Sequence, residues 1–360
     1  MSERSALVVG GGPAGAATAI HLARCGVTPL VIERNVHSAD ALCGGFLSWR
    51  TLDFLAGLGI TRAMLGGHEI NRIRLIAGAA EYSAALPISA MGVSRRHLDT
   101  LLLNRARGLG AQVRYGAARF DNGRIILNSG EVFAAGSIFL ATGKHDLRGL
   151  ARPHAAAGAD PMVGLRWRVT PSTGLRAVLD GQIELHLFPG GYAGMTLHED
   201  GSANLCLAVR KSRLTMAQGS PAILLTQLAE TNPHFGSRCA DIAGEARFDA
   251  IGHLPYHWRA LTGTNGIFRV GDQAGVIASL AGEGIGIALA SAAEAVACWR
   301  DGGAAAAPMF QRRFAARLAR PIRAARFISM LSGTRVGAHV LGNLSHIPGA
   351  FSWMASATRV

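Results

Sequence analysis

Three glycines and two acids carry most of the chemistry legible in this chain. Gly10, Gly12 and Gly15 stand in G-x-G-x-x-G spacing directly after the apolar run Ala6 to Val9. Gly10 permits a tight turn, Gly12 lets a pyrophosphate approach bare backbone, and Gly15 lets a helix pack closely on the strand. The charge-poor run Ala16 to Ala23 reads as a helix, and its free N–H groups face the phosphates. A second apolar run, Thr28 to Ile32, ends on Glu33 with Arg34 beside it. An acid at that place accepts hydrogen bonds from a ribose. Strand, glycine turn, helix, strand and terminal acid in one unit predict a dinucleotide site rather than a ligand-free glycine turn.

The second acid is Asp272, in Arg269-Val270-Gly271-Asp272-Gln273-Ala274-Gly275, followed by Leu280-Ala281-Gly282-Glu283-Gly284-Ile285-Gly286. A nicotinamide site has no use for this second constellation, whereas a flavin does. Asp272 can accept from the hydroxyls of a ribityl chain. Backbone N–H groups at Gly284 and Ile285, at a helix start, can stabilise the negative charge that a flavin's pyrimidine edge gains on reduction. The plainer alternative is an acid capping the next helix. A third glycine stretch, Cys43-Gly44-Gly45, precedes a helical pattern and offers bare backbone to a flat ring or an anion, or serves as an ordinary helix entry.

The elements that position these groups alternate in β/α fashion through both ends of the chain. Between them, Gly164 to Thr170, Gln182 to Phe188, Gly194 to His198 and Asn204 to Val209 read as successive strands without helices, which implies an antiparallel sheet. The expected fold class is α/β: a Rossmann-like dinucleotide domain (1–70, 90–160 and 260–302), an inserted antiparallel α+β substrate domain (71–89 and 161–259) and a C-terminal helical region (303–360). Arg124 to Asn128 and Glu131 to Phe133 read as a hairpin.

Composition narrows the function classes. The chain has 360 residues, 49% hydrophobic, enough for two domains around shared cores. Five cysteines, Cys25, Cys43, Cys206, Cys239 and Cys298, are scattered without a C-x-x-C pair, so neither a disulfide framework nor a metal site is indicated and a cytoplasmic setting is expected. The formal net charge of +13 comes almost wholly from arginine, since Lys144 and Lys211 are the two lysines. The basic residues are dispersed with no recognition motif, which argues against nucleic acid. Val336 to Thr358 lacks Asp, Glu, Lys and Arg but is interrupted by His339, Asn343, His346 and Pro348, so it is not read as a membrane span. The Arg- and Phe-rich segment from Phe310 to Leu331 fits either a peripheral membrane contact or a solvated helix packed on the nucleotide domain.

Four motifs together resemble the FAD-dependent oxidoreductases of the para-hydroxybenzoate hydroxylase fold, a superfamily that includes aromatic monooxygenases, flavin halogenases and geranylgeranyl reductases. They are VVGGGPAG…VIER, CGG at Cys43 to Gly45, Arg95 with Asp99 as an R-x-x-x-D helix start, and GDQAG…GEGIG. The resemblance implies FAD as cofactor. It also implies that Gly10, Gly12, Ala14, Gly15, Glu33 and Arg34 hold the ADP half, that Cys43, Gly44 and Arg95 lie beside the cofactor, and that Asp272, Gly284 and Ile285 hold the ribityl and isoalloxazine part. Ala141-Thr142-Gly143-Lys144 departs from the Ala-Asp-Gly segment of many flavin hydroxylases, which argues against direct NADPH use by that route. The external electron donor, NAD(P)H or a reductase, stays open. The W-x-W-x-I-P motif of the halogenases is absent, so halogenation is disfavoured.

The chemistry itself leaves alternatives. Reduced FAD passing hydride to a C=C bond of a prenyl- or polyketide-like molecule is the main expectation, with Cys43 as a support. Oxygenation of a hydrophobic substrate by reduced FAD and O₂ is the alternative, and a non-catalytic flavin-binding sensor or carrier is a further one. Cys43 reads as a reactive thiol or a small filler, and His186 as a proton donor or a structural histidine. Phe188 and Tyr192, in a strand-and-glycine segment like that of the reductases, are expected at the substrate.

Overall fold

The computed structural model describes residues 5–38, 40–153, 158–240, 247–344 and 350–360, and the side chains of all of these except 350–353; His346 and Pro348 lie outside them. The sequence expectation of a parallel sheet is met by five strands: β1 (Ala6–Val9), β2 (Leu30–Glu33), β6 (Gln112–Tyr115), β10 (Ser137–Leu140) and β16 (Ile267–Arg269). They lie in the order β16-β10-β1-β2-β6, every neighbouring pair parallel. This is the doubly wound order, in which the strand ends face a common crevice. β1 and β10 are buried at every position, as strands covered on both faces must be.

Helix α1 (Pro13–Arg24) packs on this sheet and against both α4 (Arg95–Gly108) and α9 (Gly284–Gly302). The close approach explains two glycines. A Cβ on Gly15 would stand 1.7 Å from the Gly10 carbonyl oxygen, and one on Gly10, whose φ is +104°, would stand 2.4 Å from the Ala141 carbonyl oxygen. Phe139 of β10 stacks on Phe268 of β16 at 4.8 Å, and Trp299 of α9 donates to Ser137 Oγ at 2.9 Å, tying the first-half and second-half strands together. Strands β7 (Ala118–Asp121), β8 (Arg124–Leu127) and β9 (Val132–Ala134) form a three-stranded antiparallel sheet, one strand more than the expected hairpin.

A second sheet of eight strands runs β15-β11-β14-β13-β12-β4-β5-β3. Its members are β3 (Phe46–Leu47), β4 (His68–Ala77), β5 (Ala80–Gly92), β11 (Met162–Val169), β12 (Gln182–Phe188), β13 (Gly191–Leu197), β14 (Ala203–Arg210) and β15 (Asp249–Leu254). All its pairs are antiparallel except β12 with β4. That exception has a simple cause: β4 and β12 come from distant parts of the chain, so no hairpin forces them antiparallel. One face of the sheet, with Trp167, Phe188, Met195 and Leu205, packs on α5 (Thr173–Leu179), α7 (Pro221–Thr231) and α8 (Pro233–Cys239). The other face, with Leu75, Leu185, Leu187 and Tyr192, looks toward Ala338 and Leu341.

These last two residues belong to α12 (Arg335–Leu344), one of the C-terminal helices with α10 (Ala307–Arg317), α11 (Ala319–Ser332) and α13 (Ala350–Ala357). Phe310 and Phe314 anchor α10 in the core that also holds α1 and α9. Pro321 falls in the first turn of α11, where its missing N–H has no intrahelical acceptor to lose. Short helices α2 (Trp49–Leu58), α3 (Arg62–Leu65) and α6 (Lys211–Met216) complete the described chain.

The Gly10–Gly15 approach yields a direct test. Gly15→Ala forces helix and strand apart and should destabilise the fold by about 2–3 kcal/mol, read as a lower urea midpoint; an unchanged midpoint would show that the contact tolerates a methyl group.

Candidate flavin and substrate site

One cleft of about 790 Å³ receives residues from both sheets and from the C-terminal helices. Gly10, Gly12, Ala14, Glu33 and Arg34 line one part of it, Cys43, Gly44 and Arg95 a second, and Asp272, Gly284 and Ile285 a third. Gly15 does not line it; it lies beneath, as the contact between α1 and β1.

Local bonds fix each part. Glu33 accepts from Gly11 N at 2.6 Å and from Asn35 N at 2.9 Å, so its carboxylate is held over the glycine turn. Ser94 caps α4, and Arg95, its first residue, makes a two-armed ion pair with Asp99 one turn along at 2.8 and 2.7 Å. The Arg95 guanidinium stands 3.2 Å from where a Cβ on Gly12 would be. Bare backbone and a fixed, delocalised positive charge thus meet at one point, the donor set a pyrophosphate requires. Burial pushes the Asp99 carboxyl up, and Arg95 opposes that shift.

The loop at Cys43 is held by residues far away in sequence. Asn204 Nδ2 donates to the carbonyls of Cys43 and Gly44 at 3.2 and 3.1 Å, and the Cys206 thiol donates to the Cys43 carbonyl at 3.0 Å. Lys144 Nζ reaches the Leu42 carbonyl at 2.7 Å. Gly45, at φ +73°, leaves no room for a side chain: its Cβ would meet His198 Nε2 at 2.1 Å. Burial pushes the Cys206 thiol up to about 12, so it serves as a donor and not as a nucleophile. Cys43 Sγ lies 3.4 Å from Gly45 N. On the third part, Arg152 donates to the carbonyls of Lys144 and Asp272 at 2.6 and 3.2 Å, and Gln273 Nε2 to those of Gly143 and His145 at 3.0 and 3.1 Å. The segment that departs from the hydroxylase pattern is therefore a brace for Asp272.

Beyond Cys43 the cleft becomes apolar, with Ile73, Leu75, Leu185 and Leu187 of the eight-stranded sheet opposite Ile328, Leu341 and Met354 of the C-terminal helices. Tyr192 stands on this face, and its hydroxyl donates to Ser279 Oγ at 2.7 Å. The Tyr256 hydroxyl bonds the same oxygen, and all three side chains line the cleft.

His186 and Phe188 require correction. Strand residues alternate between faces, and β12 sends Ile183, Leu185 and Leu187 to the cleft, so His186 and Phe188 point the other way. Phe188 packs in the outer core, and His186 meets the Phe235 ring edge-on at 5.2 Å. His186 Nε2 is 3.3 Å from Glu184, a fully buried carboxylate also bound by Arg74 at 2.8 Å and Arg238 at 3.0 Å. Burial lowers the His186 pKa, and this side chain is not a proton donor to anything in the cleft. Asn204, Cys206, Lys144, Tyr256 and Ser279 escaped the sequence reading, because nothing in their spacing ties them to a glycine motif; only the strand alternation of Asn204 and Cys206 hinted at a shared face.

Two tests follow from this geometry. Burial would raise the Glu184 carboxyl, but hydrogen bonds from His186 and Arg238 outweigh it and hold it at about 2. Its stabilisation is complete above the ordinary carboxylate range and is lost as pH falls from about 4.5 toward 2, an amount of about 3 kcal/mol. Glu184→Gln should therefore be less stable than the parent at neutral pH and lose less stability across that window in urea melts; parallel curves would remove the assignment. Asp272→Ala should release most of the flavin while circular dichroism stays native, and a purified variant with full flavin absorbance would sink the role of Asp272.

Among known proteins, a family model described as an FAD binding domain matches residues 3–120. A 4-methyl-5-nitrocatechol 5-monooxygenase from a Burkholderia species is 28% identical over 134 residues, 31% of this chain and 24% of that one; the chain thus spans about a quarter of the length of this curated relative. Among solved structures, PqsL of P. aeruginosa, crystallised with 2-aminobenzoylacetate, superposes with a TM-score of 0.72 at 16% identity, over 94% of this chain and 99% of that one. A geranylgeranyl bacteriochlorophyll reductase-like protein of Thermoplasma acidophilum gives 0.70 at 18% identity, over 98% and 96%. The chain has the fold of the para-hydroxybenzoate hydroxylase-type flavoproteins, and its cofactor is FAD.

Proposed function

We propose that the protein is an FAD-dependent monooxygenase of an apolar small molecule bearing one oxygen function. The observation that carries this reading is the continuity of the cleft: the flavin motifs open directly onto an apolar pocket whose polar corner is the hydroxyl trio of Tyr192, Ser279 and Tyr256. When bound, FAD supplies the redox chemistry with O₂. The chain's own residues orient the substrate and exclude water. Burial pushes the Tyr256 hydroxyl up to about 12 and raises that of Tyr192 as well, so both remain protonated donors at neutral pH. They suit a phenol or carbonyl oxygen on an otherwise greasy molecule.

Oxygenation is favoured over the expected C=C reduction on two grounds. The curated relative reported above is a monooxygenase. His186, the proton donor expected for reduction, also faces the opposite side of the sheet. The test is to incubate the photoreduced, FAD-loaded protein with a panel of phenols and prenyl lipids under ¹⁸O₂ and, separately, without oxygen. Gain of one labelled oxygen supports the proposal. Gain of two hydrogens in the anaerobic arm supports reduction instead, and no change in either arm favours a carrier. For an accepted substrate, Tyr256→Phe should lower kcat/KM about tenfold, the worth of one hydrogen bond.

A membrane-facing reading has its own observation. No helix among the described residues is long and apolar enough to cross a membrane. Yet Phe327, Met330, Val336 and Val340 are exposed on α11 and α12, whose inner residues Ile328 and Leu341 line the pocket. The chain carries no Asp or Glu after Asp301. An anionic bilayer is the complementary partner for such a surface. Sedimentation with phosphatidylglycerol vesicles, lost on Phe327→Ser/Met330→Ser and absent with phosphatidylcholine alone, supports peripheral docking; equal recovery with both vesicles or with neither removes it.

A further inference from the structure

Glu283 is fully buried immediately before α9, between two glycines that line the cleft's flavin wall. A carboxylate at a helix start ordinarily caps it. Here the side chain makes no capping bond among the described residues. It folds over the first turn instead, and a Cβ on Gly286 would collide with Glu283 Oε1 at 2.4 Å, which is why glycine stands there. The carboxylate turns to Arg359: Nη1 donates to Glu283 Oε2 at 2.8 Å and to the Ala281 carbonyl at 2.8 Å. Ser48 Oγ donates to the same carboxylate oxygen at 3.4 Å. The Arg359 guanidinium lies 5.1 Å from the centre of the Trp49 ring, and its side chain is 5% exposed. Both charges are withdrawn from water, where an unmatched one acts strongly on whatever lies beside it.

We propose that the Glu283–Arg359 pair sets the electrostatic potential at the start of α9 and thereby tunes how readily FAD bound there accepts electrons. The inference rests on the FAD reading of the cleft. The N–H groups at Gly284 and Ile285 favour negative charge on a ligand, whereas a bare Glu283 carboxylate one residue away opposes it. Arg359 cancels that opposition. Burial pushes the Glu283 carboxyl up and Arg359 acts in the opposite sense, as expected for a charge that depends on its partner. Arg359 follows α13 directly, so the segment that roofs the substrate pocket with Met354 also carries the counter-charge for the flavin wall. Arg359 is a positioning and charge-balancing residue; it performs no bond-making step.

The test reads the ratio of reduced to oxidised flavin in equilibrium with a redox dye, with FAD-loaded full-length protein and circular dichroism as the folding control. Glu283→Gln leaves Arg359 unmatched and raises the ratio about tenfold. Adding Arg359→Met to that variant removes the unmatched charge and returns the ratio to within about twofold of the parent. A purely structural role predicts a double variant no better than the single. Two further variants leave Glu283 untouched: Arg359→Lys holds the parent ratio, and Arg359→Met, read at about pH 9 so that the orphaned carboxyl is ionised, lowers it. An unchanged or lowered ratio in Glu283→Gln, a double variant that keeps the single's shift, or equal ratios for the Lys and Met variants would each overturn the proposal. A parent chain that takes up no FAD overturns the cofactor reading itself, and is seen before any variant is made.

Discussion

The parallel register of β1 between β2 and β10 is the constraint on which the site depends. Val9 pairs with Ile32 on one side and Leu140 on the other, so three strands end at one level. Gly10, Glu33 and Ala141 are the residues that follow or close them. A slip of one strand would carry Glu33 away from the glycine turn, where it could no longer accept from Gly11 N. The small residues of α1 then let α9 pack against it, which brings the loop at Gly284, from the far end of the domain, to the same crevice. Short-range glycine chemistry and long-range helix packing therefore converge on one place for one reason: no side chain stands in the way.

The eight-stranded sheet divides labour by face. Residues on the inner face meet the substrate pocket, and those on the outer face build an ordinary core with α5, α7 and α8. Antiparallel strands usually show this division as apolar against polar positions. Here both faces are covered, so β12 turns Ile183, Leu185 and Leu187 to the pocket while Glu184, His186 and Phe188 are buried on the outer side.

That coverage explains what the sequence made legible and what it hid. The glycine motifs were readable because their spacing encodes a backbone geometry that few other residues can adopt. Tyr192 was placed at the pocket and His186 and Phe188 away from it by the same alternation, but choosing the inner face requires knowing what lies over the sheet. The partners of the flavin wall were hidden more deeply. Asn204, Cys206, Lys144 and Arg359 act through one or two hydrogen bonds to backbone carbonyls or to one carboxylate, and such bonds leave no periodic trace. Glu283 was visible as one letter of a motif. Its burial, and the arginine that answers it 76 residues later, follow only from the packing of the C-terminal helices.

The bonds from Asn204 and Cys206 to the loop at Cys43 have a consequence for how this protein can vary. Side chains on β14 of the eight-stranded sheet donate to backbone carbonyls of the loop at Cys43, so the two are distant in sequence yet mechanically continuous. Exchanging the substrate sheet with that of a distant relative would exchange the support of the cofactor loop as well. The shape of residues 42–45 thus depends on β14, and divergence within this architecture is expected to proceed by paired changes on β14 and in residues 42–45 rather than by replacement of either alone.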